Sequence, residues 1–405
     1  MNKNQTRKIL NDPVYGFITF PDGLLFDIIH HPFFQRLRRI RQLGMSYLVY
    51  PGATHTRFLH TLGSYHLTNT AISVLKEKDV RITEKESEAV RMAILLHDIG
   101  HGPFSHALED LVVPNISHEK LSLAYMHYFN RKYPGRLDLA IQIFTNKYEH
   151  TFLHALVSSQ LDTDRLDYLK RDSFFTGVSE GVISTDRIIK MLNVVEDELV
   201  VDIKGLYSVE KFLIARRLMY WQVYLHKTVV SSEMLLRNIV KRARELCIRG
   251  EELWGPPALL FFLKHDHFQL NEELLQNFSL IDDDDIVSAL KIWQGHKDTV
   301  LSHLCQMYVS RSLFHVQLQN EPFTADEINA KKAIVQKKLG VSNTEANFFV
   351  VSDMLSNNAY KPDNGRIKIL KKNGEAVGLS DASDMFDHEM LSRTVKKYFL
   401  CHPRV

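Results

Sequence analysis

Side chains able to bind a metal are concentrated in one stretch of the sequence, residues 95–106. The stretch contains three histidines and one aspartate, together with two glycines and a proline. A buried imidazole beside a buried carboxylate is costly unless each finds a partner, and a divalent cation satisfies both groups at once. His97 and Asp98 are therefore candidate metal ligands. The alternative is a core histidine bonded to a neighbouring aspartate, but the glycines, the proline and the extra histidines have no packing use at this density.

The residues before this stretch form the helix that must position it. Its buried face is marked by apolar residues at three- and four-residue spacing, which are Val90, Ala93, Ile94 and Leu96. Gly100 and Pro103 then break the helix, and Ser105 can cap the next one. We therefore expect His101 and His106 to lie on a bend that ligands can approach closely.

Two further fragments offer side chains that could complete a metal centre. Residues 50–63 contain Arg57 and, three residues later, His60 at the start of a predicted helix. Residues 161–172 carry alternating acidic and basic residues at another helix start, and a carboxylate from this fragment could join the centre. Two imidazoles and two carboxylates suit Fe, Mn, Zn or Mg and leave coordination positions open for water.

Length and charge limit the class of protein. The chain has 405 residues, of which 45% are hydrophobic, so it can bury a large core in one big domain with a smaller one. Its net charge of +2 does not indicate a nucleic-acid-binding protein. Positive charge is concentrated in the first sixty residues, and a solvated helix face and a site for an anionic ligand both explain it. This region includes Arg36, Arg38, Arg39 and Arg41.

Cysteine usage and hydropathy predict the compartment. Cys247, Cys305 and Cys401 are isolated thiols, which argues against a disulfide framework and against a cysteine zinc site. The first ten residues lack the apolar segment of a signal peptide, and no apolar run reaches the roughly eighteen residues that a membrane-spanning helix needs. We expect a cytoplasmic protein.

The hydrophobic pattern predicts a mostly α-helical chain. A short strand flanked by turns is expected within residues 11–27, and a hairpin at residues 193–202. A long helix over residues 208–249 is expected to break near Val229. The other predicted helices of this half of the chain are 24–30, 33–42, 58–78, 84–98, 105–111, 117–132, 136–145, 149–158 and 163–171.

Beyond the long helix, the sequence predicts a joint and a further helix start, and its texture changes from residue 347 onward. A joint is expected at residues 254–257, where glycine and two prolines meet. The four aspartates at 282–285 precede an apolar run, so they are better explained as favourable charge at a helix N-terminus than as a metal site. A strand beginning at Phe348 and a hairpin at residues 368–379 predict a small α/β appendage.

Several of these motifs occur in the order typical of one family. The chain resembles the HD-domain phosphohydrolases, and within them the deoxynucleoside triphosphate triphosphohydrolases, over roughly residues 10–240. Besides the three fragments above, the resemblance rests on residues 11–13, 34–38, 42–44 and 50–52. It implies an HD-domain helical core at residues 1–250 that acts as a metal-dependent phosphohydrolase. A helical extension at 251–345, which no motif matches, and a small α/β subdomain at 346–405 would follow.

The resemblance also implies roles for individual residues. The metal would be held by His60, His97, Asp98 and Asp164. The catalytic residues would be His106 as the acid or base, Glu109 as the acid that orients it, and His101 and His118 facing the phosphates. Glu109 stands where the family often has an aspartate. The substrate would contact Gln42, Leu43, Arg57, Arg165, Tyr168, Asp172, Arg216 and Tyr224.

The implied activity is metal-dependent hydrolysis of deoxynucleoside triphosphates to deoxynucleoside and inorganic triphosphate. One alternative is an HD-domain phosphomonoesterase or phosphodiesterase acting on another nucleotide, and a second is a non-enzymatic nucleotide-sensing or nucleic-acid-binding module. The additional cationic and aromatic residues favour the triphosphate. A regulatory nucleotide and a homo-oligomer are candidate partners, whereas a membrane and nucleic acid are not expected. His30 replaces a base-reading aspartate of the vertebrate relative, which argues against guanine-specific activation by that route.

Overall fold

The computed structural model describes residues 8–21, 23–357, 366–385 and 394–404. It begins with an antiparallel hairpin of β1 (Lys8–Asp12) and β2 (Gly16–Phe20), where the sequence predicted a single short strand. The chain reverses because the Asp12 carboxylate accepts hydrogen bonds from the backbone N–H groups of Val14 and Tyr15. Gly16 then adopts the positive φ of 74° that this turn requires.

Two short helices follow, α1 (Leu24–His30) and α2 (Pro32–Gln35). The predicted helix 33–42 is wrong in its second half, because residues 36–39 form a 3₁₀ turn after which the chain extends. Arg36 fixes this turn, since its buried guanidinium donates to the carbonyl oxygens of Ile99 at 2.9 Å and Ile281 at 3.3 Å. Tertiary contacts therefore end the helix.

The central helices surround the candidate site. α3 is buried along most of its length and packs against α4 and α9. α4 begins at a capping box formed by Thr83 and Glu86 and ends directly before His97. The helices are α3 (Arg57–Glu77), α4 (Glu84–Leu96), α5 (Glu109–Val112), α6 (His118–Lys132), α7 (Asp138–Phe144), α8 (Thr151–Val157) and α9 (Thr163–Thr176).

The helix predicted at residues 105–111 is not continuous. Residues 105–111 form a 3₁₀ turn, Ser105–Ala107, followed by α5. Ser105 does not cap a helix, because its hydroxyl group donates instead to the carbonyl oxygen of Arg41 at 3.2 Å.

The next segment contains the predicted hairpin and the long helix. The hairpin is confirmed as β3 and β4, which pair antiparallel. The long helix is divided earlier than predicted, by a π-helical turn at Tyr220–Tyr224 and a break at Leu225, after which the His226 side chain caps the second half. The elements are α10 (Thr185–Lys190), β3 (Leu192–Val195), β4 (Glu198–Asp202), α11 (Leu206–Met219) and α12 (Lys227–Ile248).

The extension consists of short helices. Asp282 caps α15 in a capping box with Asp285, so the prediction that the four aspartates mark a helix N-terminus is confirmed. The predicted strand at Phe348 begins only at Val351, because residues 346–350 continue the turn of α18. The helices of this part are α13 (Pro257–Lys264), α14 (Glu272–Ser279), α15 (Asp283–Trp293), α16 (Thr299–Val309), α17 (Ala325–Leu339) and α18 (Asn343–Ala346). The short helix α19 (Leu379–Ala382) follows later, among the last strands.

Two small sheets join the last residues to the helical body. In one, the predicted hairpin of β7 and β8 pairs in parallel with β4, giving the order β3-β4-β7-β8. In the other, β9 lies between β5 and β6 and is antiparallel to both. The strands are β5 (His315–Gln319), β6 (Val351–Asn357), β7 (Lys368–Leu370), β8 (Ala376–Gly378) and β9 (Val395–His402). The mostly α-helical fold class is confirmed.

Among the described residues, no helix has both the length and the apolar character needed to cross a membrane.

Candidate metal centre and adjoining cavity

The four side chains predicted to hold a metal meet where α3, α9 and the turn after α4 converge. Nε2 of His60 lies 3.0 Å from Oδ1 of Asp164, and Nε2 of His97 lies 3.5 Å from the same oxygen. Asp98 closes the group, with one carboxylate oxygen 3.3 Å from Nε2 of His97 and the other 3.6 Å from Nε2 of His60. Three segments thus contribute two imidazoles and two carboxylates to one cluster, in which His60 and Asp98 are buried and His97 and Asp164 are partly buried.

The hydrogen bonds around this cluster fit a divalent cation. Nδ1 of His97 lies 2.6 Å from the carbonyl oxygen of Ile94, which can only accept, so the proton must be on Nδ1. Nε2 of His97 is then a buried lone pair, and it has no hydrogen-bond partner among the described residues. Nδ1 of His60 is held by Asp167 at 2.7 Å, which leaves its Nε2 facing Asp164. A metal ion would satisfy both nitrogens.

The charges of the cluster favour a cation. Burial alone would raise the pKa of Asp98, but Arg57 and the neighbouring histidines hold it well below its usual range. Burial would likewise raise the pKa of Asp164, but the hydrogen bond with His60 and the nearby His97 imidazole keep it low. Burial would lower the pKa of His60, yet its bonds to Asp164 and Asp167 raise it to about 10. Both carboxylates are therefore ionised and attract positive charge.

A second layer of buried charges supports His60. Asp167 accepts from Nε of Arg171 at 2.9 Å, and Arg171 donates in turn to Asp12 at 2.8 Å. All three side chains are buried. Sequence reasoning did not single out Asp167. Its signal was the i, i+3, i+7 spacing of Asp164, Asp167 and Arg171, which places them on one face of α9.

The predicted catalytic residues form a separate cluster beside the metal ligands. The Glu109 carboxylate accepts from the backbone N–H and from Nδ1 of His118, both at 2.7 Å, and lies 3.2 Å from Nδ1 of His106. The ring of His101 stacks on that of His118 at 4.0 Å between centroids. His101 also reaches the metal cluster, with Nε2 3.3 Å from Asp98. The structure thus brings together the four residues predicted as catalytic.

Glu109 orients two histidines rather than one. Burial would raise the pKa of its carboxyl group, but hydrogen bonds from His106 and His118 keep it well below the usual range. The His106 side chain is 70% exposed, which leaves its ring accessible from the cavity that it lines. The predicted contact between His106 and Glu109 is present, although it runs from a 3₁₀ turn to α5 and not along one helix.

A cavity of about 750 Å³ opens beside both clusters. It is lined by the four metal-binding candidates and by three of the four catalytic candidates, Glu109 being set behind them. Its volume lies in the range of small-molecule sites. All eight residues predicted to contact substrate line it, namely Gln42, Leu43, Arg57, Arg165, Tyr168, Asp172, Arg216 and Tyr224.

Neighbouring side chains hold several of these lining residues. Asp172 accepts from the Tyr224 hydroxyl at 2.8 Å and from Nε2 of His55 at 2.7 Å. Arg165 pairs with the buried Asp162 at the start of α9. Arg57 is held by Asp98 and by the Ser105 hydroxyl at 2.7 Å, directly at the edge of the metal cluster.

The cavity is also lined by residues that were not predicted as site residues, among them Tyr220, Leu225 and Glu233. Tyr220 and Leu225 belong to the π-helical turn and the break after it, which no sequence pattern predicted at that point. Glu233 projects from α12, and burial raises the pKa of its carboxyl group to about 7 although Arg237 lowers it. In the sequence, a glutamate that lines a cavity looks the same as a glutamate on the solvent-exposed face of an amphipathic helix, so Glu233 could not be predicted.

The fold and the site belong to a class in which helices hold a histidine–aspartate metal centre. Residues 57–171 match the HD domain, and residues 183–253 match the HD associated region. The crystal structure of a phosphohydrolase from Bacteroides thetaiotaomicron VPI-5482 is similar with a TM-score of 0.96 and 51% identity. That similarity covers 98% of this chain and 100% of the other.

Two sequence relatives extend the comparison. The uncharacterised protein YwfO of Bacillus subtilis (strain 168) is 30% identical over 94% of this chain and 89% of that protein. The deoxynucleoside triphosphate triphosphohydrolase SAMHD1 homolog of Dictyostelium discoideum is 26% identical over 86% of this chain and 69% of that protein. The chain therefore belongs to the HD-domain phosphohydrolases, in the family that resembles the deoxynucleoside triphosphate triphosphohydrolases, which confirms the family predicted from its motifs.

Proposed function

We propose that the protein hydrolyses deoxynucleoside triphosphates to deoxynucleoside and inorganic triphosphate. The observation that carries this proposal is the composition of the cavity wall. Arg57, Arg165 and Arg216 supply positive charge, and Tyr168 and Tyr224 supply aromatic surface, beside one metal cluster. A nucleoside monophosphate would not require three arginines. The relative from Dictyostelium discoideum, which carries the name of this activity, supports the same assignment.

The chain's own residues account for binding and proton transfer. A divalent cation held by His60, His97, Asp98 and Asp164 would lower the pKa of a bound water and polarise a phosphoryl oxygen. The three arginines would neutralise phosphate charge, most of all where it increases in the transition state. Nδ1 of His106 is hydrogen-bonded to the Glu109 carboxylate. Nε2 is therefore the nitrogen that would exchange a proton with the 5′ oxygen or with the attacking water.

Product analysis tests the proposal. The purified protein is incubated with each of the four deoxynucleoside triphosphates and Mn²⁺ or Mg²⁺, with and without a second nucleotide, and the products are separated by chromatography. We expect deoxynucleoside and intact triphosphate as the only products. Stepwise release of orthophosphate, or no turnover under any of these conditions, would refute the assignment. Orthophosphate from a monophosphate substrate would favour the alternative phosphomonoesterase.

Two variants separate metal binding from proton transfer. The double variant His97→Ala, Asp98→Ala should lose both bound metal and turnover. His106→Ala should keep the metal and lose about 10²–10⁴-fold in kcat, the usual contribution of a general acid or base. Metal content is measured on the same samples. The homo-oligomer, the regulatory nucleotide and the cytoplasmic location expected from the sequence stay predictions.

A further inference from the structure

One carboxylate of the helical extension is buried against the loop that carries His106. Asp283, the first residue of α15, is 1% exposed. Its Oδ1 accepts a hydrogen bond from the backbone N–H of Phe104 at 2.7 Å. Its Oδ2 accepts from the backbone N–H of Arg41 at 3.0 Å and from the Arg41 guanidinium at 3.3 Å. A single side chain therefore joins three segments that are distant in sequence.

The first of these segments is strained. Phe104 and Ser105 each have a φ of 51°, in the left-handed region that residues with a Cβ rarely adopt. Such a conformation persists only where the surrounding contacts determine it. Here Asp283 holds the Phe104 N–H, and the Ser105 hydroxyl accepts from Nε of Arg57 at 2.7 Å. His106 is the next residue, so the position of its ring depends on these contacts.

The second segment leads to the other side of the cavity. The backbone N–H of Arg41 is fixed by Asp283, and the next residues, Gln42 and Leu43, line the cavity. The backbone N–H of Gln42 donates a hydrogen bond to the carbonyl oxygen of His55 at 3.0 Å. Asp283 thus sets the position of Gln42 and Leu43 relative to the loop that precedes His106.

Helix capping does not explain the burial of Asp283. Asp282 caps α15, since its carboxylate accepts from the N–H of Asp284 at 3.0 Å, and Asp285 completes the capping box. Burial raises the pKa of Asp283 to about 6, although hydrogen bonds from Phe104 and Arg41 oppose that rise. A buried carboxylate is costly, and this one is placed where three donors from the site meet it.

We propose that Asp283 is a positioning residue through which the extension, residues 251–345, holds His106 in place relative to Gln42 and Leu43. The proposal deepens the proposed function, on which its kinetic part rests. The carboxylate contacts neither the metal ligands nor the cavity among the described residues. It acts through the backbone of Phe104 and Arg41.

The test compares Asp283→Asn with Asp284→Asn. The first variant keeps the shape of the side chain but replaces one acceptor oxygen with an NH₂ group. The backbone N–H of either Phe104 or Arg41 then faces a donor and loses its hydrogen bond. The second removes the same charge from the same helical turn, and Asp284 is exposed. We expect Asp283→Asn to lower kcat about 10–100-fold, as a misplacement of about 1 Å can do, with Mn²⁺ affinity unchanged. Asp284→Asn should retain full kcat.

A second readout does not depend on turnover. Hydrogen exchange followed by mass spectrometry should show faster exchange of peptides covering residues 103–107 and 41–43 in Asp283→Asn, and no change in the first turns of α3 and α9. Wild-type exchange and kcat in Asp283→Asn would refute the positioning role. A loss of kcat that only matches the fraction unfolded by circular dichroism would refute it as well. Absence of turnover in the wild type would instead overturn the proposed function, and the exchange result would still decide the role of Asp283.

Discussion

The pair of His60 and Asp167 determines one side of the metal cluster. The carboxylate accepts from Nδ1 of His60, so it fixes the ring orientation and turns Nε2 towards Asp164 and the rest of the cluster. Arg171 and Asp12 hold Asp167 in turn. A histidine ligand whose other nitrogen is bonded to a carboxylate is a stronger donor to a metal. Residues of α9 therefore determine the orientation of the His60 ring.

Asp167→Asn should weaken metal binding. The variant leaves the four candidate ligands in place but removes the charge behind His60, and changes of this kind typically lower metal affinity about 10–100-fold. Isothermal titration with Mn²⁺ measures the effect. Asp172→Asn is the matched control, because Asp172 is a buried carboxylate of the same helix that bonds His55 and Tyr224 instead of His60. Equal Mn²⁺ affinity in the two variants would contradict the role given to Asp167.

The residues that could be predicted from the sequence share one property. His97, Asp98 and their neighbours lie in short motifs whose spacing alone indicates metal chemistry. Asp283 lacks such spacing, because its partners belong to other segments. Asp167 shares only an ordinary helical spacing with Asp164 and Arg171, and its contact with His60 spans 107 residues. The bond from Phe104 to Asp283 spans 179 residues. Contacts of this kind are decided by how helices pack, which a motif does not encode.

At the scale of elements, the close approach of α3 to α9 depends on one glycine. A Cβ added at Gly63 would lie 1.9 Å from the Asp167 carboxylate and 2.2 Å from the Arg171 guanidinium. Both groups are buried in the ion network behind His60, so neither can move into solvent without leaving a charge unpaired. The glycine is thus required by packing, whereas its backbone conformation is ordinary.

Gly63→Ala should destabilise the fold. Overpacking in a core costs about 1–3 kcal/mol, and here the displaced groups are charged, so we expect a loss of at least about 2 kcal/mol in the free energy of unfolding. Urea denaturation measures it. Gly295→Ala is the control, since its added Cβ would have no neighbour closer than 3.9 Å. If both variants have the stability of the wild type, the packing of α3 on α9 is looser than the structure indicates.

Boundaries of elements were harder to predict than their existence. The helix expected at 33–42 ends early because Arg36 turns inward to two carbonyl oxygens. The long helix breaks at Leu225, directly after a π-helical turn. Periodicity along the chain reports which face is buried, but it does not report a side chain that reaches another segment. The domain boundaries expected at 250 and 345 stay a prediction.

For the whole molecule, the candidate metal cluster connects segments that are also joined by packing and by ion pairs such as Arg57 with Asp98. Its candidate ligands come from α3, from the turn after α4 and from α9. A cation bound to all of them would be bound by the folded state and not by the unfolded chain, so part of its binding free energy becomes stability. The extension is tied to the same region by Asp283.

Added metal should therefore raise the unfolding temperature. At a free Mn²⁺ concentration 100 times the Kd, the free energy of unfolding should rise by about 2.7 kcal/mol. Thermal unfolding of metal-free and loaded protein measures the shift. The double variant His97→Ala, Asp98→Ala should show none. An equal shift in that variant would mean that the stabilising ion binds elsewhere.

The position of β9 has a consequence for how the chain folds during synthesis. β9 is the central strand of its sheet, yet β5 and β6 are translated well before it, since β6 ends at Asn357 and β9 begins at Val395. Until β9 leaves the ribosome, β5 and β6 are strands without a neighbour, open to pairing with other chains. All helices of the metal cluster, and Asp283, emerge earlier. We expect the catalytic half to reach its folded state first, and the nascent chain to be most prone to aggregation in the interval before β9 appears.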